Sequence, residues 1–123
     1  MMLVPNANFW AEIDGEVVLS QWRVELLHAI DVAGSISGAA QQLDIPYKLA
    51  WERIHQMESR LGQTLVDAQV GGAGGGGATL TPVARAYMRR WREFHQGLDT
   101  LIAQRFADAF GDVPQVAAQE ETA

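Results

Sequence analysis

The feature that most constrains the fold is a run of helix signals from Gln21 to Leu61 that is interrupted twice. The first segment, Gln21 to Ala33, repeats apolar residues at helical spacing. Ser20 before it is a good N-cap residue, and Gly34 after it is typical of the residue that follows a helix C-terminus. The chain therefore predicts a helix over 21–33 that ends in a tight turn.

Two further helices follow, and the first of them is short. We expect it from about Gly38 to Leu43, capped by Ser37. Pro46 cannot continue that helix but suits the first turn of the next one, which we predict from Tyr47 to about Leu61. Three helices with a short middle member are therefore expected.

Short β-strand signals lie on both sides of the helices. Phe9 to Leu19 contains two β-prone runs around Asp14-Gly15, a dipeptide that favours a two-residue hairpin turn. A strand over Thr64–Val66 and a return strand over Ala78–Leu80 form the second pair. A hairpin before the helices and a two-stranded wing after them are predicted.

The C-terminal third predicts one long helix from Thr81-Pro82 to about Phe110. Its apolar residues repeat at spacings of three and four, as in a coiled-coil seam that pairs with a second chain. The predicted dimerisation residues on this seam are Tyr87, Trp91, Phe94, Leu98 and Leu101. We expect a flexible N-terminus over 1–8, one domain over 9–110 with its dimerisation helix at about 82–110, and a disordered acidic tail over 111–123.

These elements predict a mainly α fold with a small amount of β structure, the winged helix-turn-helix, whose third helix enters the DNA major groove. If the apolar side of that helix faces the core, the DNA-contacting candidates on it are Tyr47, Lys48, Trp51, Glu52 and His55. Lys48 suits guanine or a phosphate, and Glu52 suits a cytosine amino group. Alternatively, Lys48 and Glu52 form a solvated surface pair, Trp51 is partly buried, and His55 makes no DNA contact.

A glycine run, Gly71 to Ala78, separates the two wing strands and holds half of the 12 glycines in the chain. No Lys-Ser or Lys-Thr pair follows it, which excludes a Walker phosphate loop. A flexible linker is one interpretation. A wing tip is favoured, because Gly74, Gly75 and Gly76 would let backbone amides approach DNA closely.

The formal net charge of -6 is unevenly distributed. Between Gly34 and Arg90 there are six basic and four acidic residues, giving +2, and the remainder carries -8. The chain has no cysteine, and its three histidines lack metal-ligand spacing. The basic segment favours a DNA-binding protein, and the absence of cysteine favours the cytoplasm. We expect no membrane association and no bound metal, and the sequence contains no catalytic signature.

The residues GSISGAAQQLDIPYKLAWERIHQME, from Gly34 to Glu58, followed by the glycine run and Leu80-Thr81, resemble the DNA-binding domain of ModE-type molybdate-responsive regulators. LysR-type DNA-binding domains are more distantly similar. The resemblance implies a homodimeric regulator that reads an inverted repeat in double-stranded DNA. It also implies DNA contacts from Ser35, Ser37, Tyr47, Lys48 and the glycine wing.

Two departures from the family pattern affect these expectations. Family wings commonly carry a lysine where this chain has Ala73, which leaves backbone amides to make the wing contact. Family members also carry C-terminal molybdate-binding domains, whereas the tail predicted here after the long helix, from Gly111 onward, is too short to form one, so we expect no cofactor on this chain. Its signal, if it has one, would come from a separate molybdate-binding protein.

The leading hypothesis is therefore a transcriptional regulator of the nucleoid that controls molybdenum or oxyanion genes. One alternative is a dimeric adaptor that uses the seam and the acidic surface to recruit another protein. The other alternative is an oxyanion sensor that binds its ligand at the helix N-terminus near Ser37 or Thr81.

Overall fold

A computed structural model describes residues 2–69 and 76–112. The described part of the chain divides into two units, Phe9–Trp91, and residues 2–8 with 92–112. The first unit contains β1 (Trp10–Ile13), β2 (Glu16–Ser20), α1 (Gln21–Ala33), α2 (Ile36–Gln42), α3 (Tyr47–Leu61), β3 (Val66–Ala68) and β4 (Ala78–Leu80). Helix α4 (Pro82–His95) begins in this unit and continues into the second, which also contains α5 (Leu98–Phe110).

The predicted N-terminal hairpin is confirmed. β1 and β2 are antiparallel, with Trp10 opposite Ser20 and a register shift between Ala11 and Glu12. Asp14 and Gly15 both have positive φ, 51° and 79°, which is the backbone of a type I′ turn. The last strand residue, Ser20, caps α1 by accepting a hydrogen bond from the backbone N–H of Arg23.

Helices α1 and α3 have the predicted bounds because glycines end both of them. Gly34 and Gly62 lie in the left-handed region, and the backbone N–H of Gly34 donates to the carbonyl of Ile30. Side chains from α1, α2, α3, the wing and α4 share one apolar core. Its largest fully buried side chains are Leu26, Leu27, Ile30, Ile54, Met57 and Leu65.

Helix α2 begins two residues earlier than predicted, and its cap is Ser35, so the prediction that Ser37 caps it was wrong. The Ser35 hydroxyl accepts from the backbone N–H of Gly38 at 2.9 Å, and Ile36 is buried in the first turn. A Cβ at Gly38 would lie 2.8 Å from Ser35 Oγ and 2.9 Å from Ala33 Cβ. Ser35 is therefore the cap, and the turn between α1 and α2 leaves no room for a side chain at position 38.

The first wing strand begins at Val66 rather than at the predicted Thr64. Glu58 Oε2 accepts from the backbone N–H of Leu65 at 2.8 Å and of Val66 at 3.1 Å, so a side chain of α3 holds this part of the chain. The Thr64 carbonyl accepts from the hydroxyl of Thr81. Val66 pairs with Leu80 and Ala68 with Ala78, as expected of an antiparallel wing.

The prediction of one continuous helix to Phe110 was wrong. Thr81 caps α4 as predicted, its hydroxyl accepting from the backbone N–H of Ala84 at 3.2 Å. The helix then ends at His95, and Gly97 with φ 87° precedes α5. A left-handed residue cannot continue a right-handed helix, so the chain contains two helices where the heptad spacing predicted one.

Candidate nucleic-acid interface

The exposed face of α3 carries four of the predicted DNA-contacting side chains, those of Lys48, Trp51, Glu52 and His55. Lys48 Nζ lies 3.9 Å from Glu52 Oε1, and the two side chains are 85% and 43% exposed. At that distance the pair has no hydrogen bond, and an exposed i,i+4 pair contributes little stability. Both charged groups, and the nearby exposed His55, are therefore accessible to a ligand in solvent.

Trp51 is 43% exposed, so part of its side chain is buried against the helix and part is open to solvent. Its ring stacks on that of His55, with centroids 3.7 Å apart and planes 25° apart. His55 Nδ1 lies 2.8 Å from the carbonyl oxygen of Trp51, which fixes the imidazole on the helix surface. The two rings form an ordered aromatic surface beside Lys48 and Glu52.

A groove joins the N-terminal ends of α2 and α3 to the base of the wing. Its volume is about 290 Å³, and its lining includes Ser37, Tyr47, Gln69 and Gly76. Ser37 and Tyr47 are both exposed, Tyr47 by 53%. The structure therefore brings these two predicted residues together with Gly76; Gly74 and Gly75 lie outside the described residues.

The hydroxyl of Ser35 is committed to capping α2, and Ser35 is only half-exposed. It also lies 3.5 Å from the hydroxyl of Ser37. Ser35 thus positions the exposed Ser37 at the start of α2. Of the two serines suggested by the resemblance, Ser37 is the one that faces the groove.

The wing is fixed to the rest of the domain at its base. The backbone N–H of Ala78 donates to the carbonyl of Gly34 at 2.8 Å, and that of Gln69 donates to the carbonyl of Gly77 at 2.8 Å. With the two bonds from Glu58, these contacts fix the base of the wing beside α3. The role of Glu58 could not be predicted from the sequence, because it depends on backbone groups seven and eight residues away.

An arginine cluster lies where α3 contacts α1 and β2, and no local pattern in the sequence predicts it. Arg23 is buried in α1; its guanidinium donates to the carbonyl of Arg53 at 3.5 Å and to Gln56 Oε1 at 3.2 Å. Arg60 donates to the carbonyl of Val17 at 2.6 Å, and its guanidinium lies 3.0 Å from the Glu16 carboxylate. Burial, together with the positive charges of Arg53 and Arg60, lowers the pKa of Arg23.

Comparison with known proteins identifies the family. The model of the bacterial regulatory helix-turn-helix proteins of the lysR family matches residues 22–85. The molybdenum transport protein ModE of Azotobacter vinelandii is 34% identical over 111 residues, which cover 87% of this chain and 41% of that protein. The DNA-binding transcriptional dual regulator ModE of Escherichia coli (strain K12) is 46% identical over 59 residues, 48% of this chain and 22% of that protein.

The chain belongs to the LysR family. Its helix-turn-helix is of the ModE type, as the residues from Gly34 to Glu58 indicate. The chain spans less than half the length of these two relatives. The crystal structure of full-length CbnR complexed with its target DNA shares the fold, with a TM-score of 0.59 at 20% identity over 76% of this chain and 31% of that one.

The LysR-family match begins at Trp22 and ends at Arg85. It covers α1, α2, α3, the wing and the first turn of α4, while the N-terminal hairpin lies outside it. Arg60 therefore links a family element, α3, to a strand that the family match does not include.

The predicted dimerisation residues of this LysR-family chain lie on both sides of the Gly97 break. Trp91 is buried in the first unit, where its indole N–H donates to Gln21 Oε1 at 3.1 Å. Tyr87 and Leu98 are half-buried, while Phe94 and Leu101 are exposed by 53% and 48%. Trp91 therefore belongs to the core of its own domain instead of an exposed seam.

Residues 2–69 and 76–112 were the part of the chain relevant to two other properties, metal binding and membrane insertion. No group of three or more His, Cys, Asp or Glu side chains there has an arrangement that suits a metal ion. Among the helices of those residues, none is both long enough and apolar enough to cross a bilayer.

Proposed function

We propose that this chain is a sequence-specific transcriptional regulator that acts in the cytoplasm as a homodimer on an inverted repeat in DNA. The observation that carries the proposal is the exposed face of α3, where Lys48, Glu52 and the Trp51–His55 stack lie together without cover from the domain. A helix with such a face fits the major groove, which is about 12 Å wide.

The side chains on this face have distinct chemical roles in the proposal. Lys48 donates to guanine O6 and N7 or to a phosphate, and Glu52 accepts from a cytosine amino group. The stacked rings of Trp51 and His55 offer apolar surface to a thymine methyl group. Because Lys48 and Glu52 lie only 3.9 Å apart, binding one base pair with both residues requires little rearrangement.

The groove at the start of α2 and α3 is the proposed phosphate contact on the wing side. The hydroxyls of Ser37 and Tyr47 and the backbone at Gly76 all border it. Such groups bind phosphate and set the position of the protein without reading sequence. The contact fixes how far α3 is inserted along the major groove.

We propose a homodimer because the DNA-binding segment carries only a small positive charge. With a net charge of +2 from Gly34 to Arg90, one domain neutralises few phosphates and binds weakly. A second copy on the other half-site supplies the missing affinity through effective concentration. We assign the pairing surface to α5, whose residues Leu98 and Leu101 carry the predicted seam past the Gly97 break.

The gene targets we propose concern molybdenum or oxyanion transport. Support comes from the ModE-type helix-turn-helix and from the names of the relatives, which include a molybdenum transport protein. This part of the proposal concerns only which genes the DNA-binding domain binds.

The decisive experiment is selection of bound duplexes from a random DNA pool, followed by titration of the selected duplex and a scrambled one at several salt concentrations. We expect the selected duplex to contain an inverted repeat and to bind at least about a thousandfold more tightly. Equal affinity for both duplexes, or no binding to either, would refute the proposal.

Lys48 offers a direct test of the proposed orientation because it is the only lysine in the chain. An amine-reactive reagent should label Lys48 in the free protein and be blocked when the selected duplex is bound. K48A should weaken binding to the selected duplex while leaving thermal stability unchanged. R105A, which removes one positive charge from α5, is the matched control and should bind as wild type.

A further inference from the structure

The two flanks of α3 differ in what covers them. At 100° per residue, Tyr47 and Glu58 share the flank that faces the wing, where Glu58 binds the start of β3. Arg53, Gln56 and Arg60 share the opposite flank, where Arg60 binds β2. The exposed face with Lys48 and Glu52 lies between the two flanks.

The guanidinium groups of Arg23, Arg53 and Arg60 lie around the flank of α3 that contacts β2. One carboxylate, that of Glu16, forms an ion pair with this cluster. Arg60 is committed to Glu16 and to the carbonyl of Val17. Arg23 is buried and uses Gln56 and the carbonyl of Arg53. In the described ranges 2–69 and 76–112, the half-buried Arg53 side chain has neither a hydrogen bond nor an ion pair.

Such a cluster opposes folding, because like charges repel and a buried guanidinium loses hydration. The same burial and the charges of Arg53 and Arg60 lower the pKa of Arg23. Features that cost stability are expected at sites that bind a ligand. A ligand that offsets this cost must be an anion that reaches the flank of α3.

We propose that Arg53 binds a phosphate of the DNA backbone on the side of the major groove opposite the wing. This assignment rests on the proposed function, since it requires α3 in the groove. A helix about 10–12 Å across almost fills a groove about 12 Å wide, so both of its flanks meet sugar-phosphate walls. The wing-side wall meets Ser37, Tyr47 and Gly76, and the other wall meets Arg53, with Arg23 and Arg60 raising the local positive potential.

The test measures binding to the selected and the scrambled duplex from about 0.05 to 0.3 M salt. One lost phosphate contact reduces the slope of log K against log salt by about 0.9, which corresponds to roughly an eightfold weaker affinity at 0.1 M. We expect this loss for R53Q on both duplexes, because phosphate contacts carry no sequence information. R53K should retain most of the slope.

Thermal stability gives a second, independent measurement. R53Q should melt at or above the wild-type temperature, because it removes a charge that repels Arg23. R53M, which keeps apolar packing along the side-chain stem, serves as a second neutral variant if R53Q does not fold. R89Q removes the same charge from an exposed position on α4 and should leave the slope unchanged.

Three outcomes would overturn the assignment. They are an unchanged slope in both R53Q and R53M, an equal loss in R89Q, and a loss confined to the selected duplex, which would make Arg53 a base-reading residue. Failure of the proposed function has a different signature, since the wild-type chain would then not prefer the selected duplex. A wild type with that preference and an R53Q variant with a full slope would refute only the role of Arg53.

Discussion

Helices α4 and α5 carry one heptad pattern but bury it differently. Helix α4 buries Ala84, Met88 and Trp91 in the described chain, whereas no residue of α5 is buried. The buried stripe of α4 also includes Met88, while the predicted Tyr87 is only half-buried. Apolar periodicity thus predicted that both helices have an apolar side, but it did not predict which of those residues the domain itself buries.

The largest expected effect is on the α4 side of this comparison. W91A should lower the free energy of unfolding by about 3–5 kcal/mol, because it empties a buried site and removes the hydrogen bond to Gln21. Urea denaturation followed by circular dichroism measures this loss. If Trp91 belonged to an exposed seam instead, W91A would change the oligomeric state and leave unfolding nearly unaffected.

A conservative replacement separates packing from hydrogen bonding at the same site. W91F keeps most of the apolar volume but cannot donate to Gln21 Oε1, so a smaller loss of about 1–3 kcal/mol is expected. A loss as large as that of W91A would mean that the indole shape, and not its burial alone, determines the stability of the domain.

The next effect concerns α5 and the proposed dimer. Replacing both Leu98 and Leu101 with Glu should dissociate the dimer and leave the unfolding of the DNA-binding domain unchanged. Burial of each leucine contributes about 1.5–3 kcal/mol, so the dissociation constant should rise at least about a hundredfold. Light scattering across a protein concentration series measures it.

The exposed Thr100 provides the matched control on α5. T100E adds a negative charge to the same helix on a different side from the two leucines, and it should remain dimeric. A dimer that survives the double leucine change would place the interface outside α5. A monomeric T100E would show that added charge on α5 is enough to dissociate the dimer, wherever on the helix it lies.

Local signals predicted the elements whose ends are set by their own residues. The bounds of α1 could be predicted because Ser20 caps one end and Gly34 terminates the other. The start of α2 could not, since Ser35 and Ser37 are both good caps. The helix that begins after Ser35 buries Ile36 in the core, and that burial depends on tertiary contacts.

The candidate site also contains residues that local spacing predicts and residues that only long-range contacts bring together. Helical spacing alone placed Lys48, Glu52 and His55 on one exposed face, since it depends only on the direction of the apolar stripe. The arginine cluster could not be predicted, because it joins Arg23 to residues 30 and 33 positions away. Nothing local to Arg23 indicates that a guanidinium in α1 is buried.

Gly97 allows a smaller test of why α4 and α5 are separate. Its φ of 87° is strained for any residue with a Cβ, although no heavy atom outside its two chain neighbours lies within 4 Å of where that Cβ would be. G97A should therefore cost about 1–2 kcal/mol in the present conformation, or favour a continuous helix over residues 82–110. Amide hydrogen exchange distinguishes the two results.

In the wild type, the amides of Leu98, Asp99 and Thr100 occupy the first turn of α5, where helix N–H groups lack intrahelical partners, and they should exchange quickly. A continuous helix in G97A would slow all three. G62A replaces another left-handed glycine, at the end of α3, and should lose stability without slowing those amides. If G97A changed neither exchange nor stability, the backbone at Gly97 would not be what ends α4.

The smallest expected effect concerns the ion pair that joins α4 to α1. Arg85 and Asp31 form two hydrogen bonds, of 2.7 and 3.1 Å. The bonds from Arg85 lower the pKa of Asp31, so the stability that this carboxylate contributes is present above its unfolded pKa of about 3.9 and is lost as the pH falls through the lower folded value. D31N should therefore melt slightly below wild type near pH 6, and the difference should disappear in strong acid.

D67N removes an exposed carboxylate from β3, for which no ion pair is seen within the described residues, and should show no such convergence. A D31N difference that persisted unchanged at the lowest pH would mean that Asp31 stabilises the contact between α1 and α4 through packing and not through its charge.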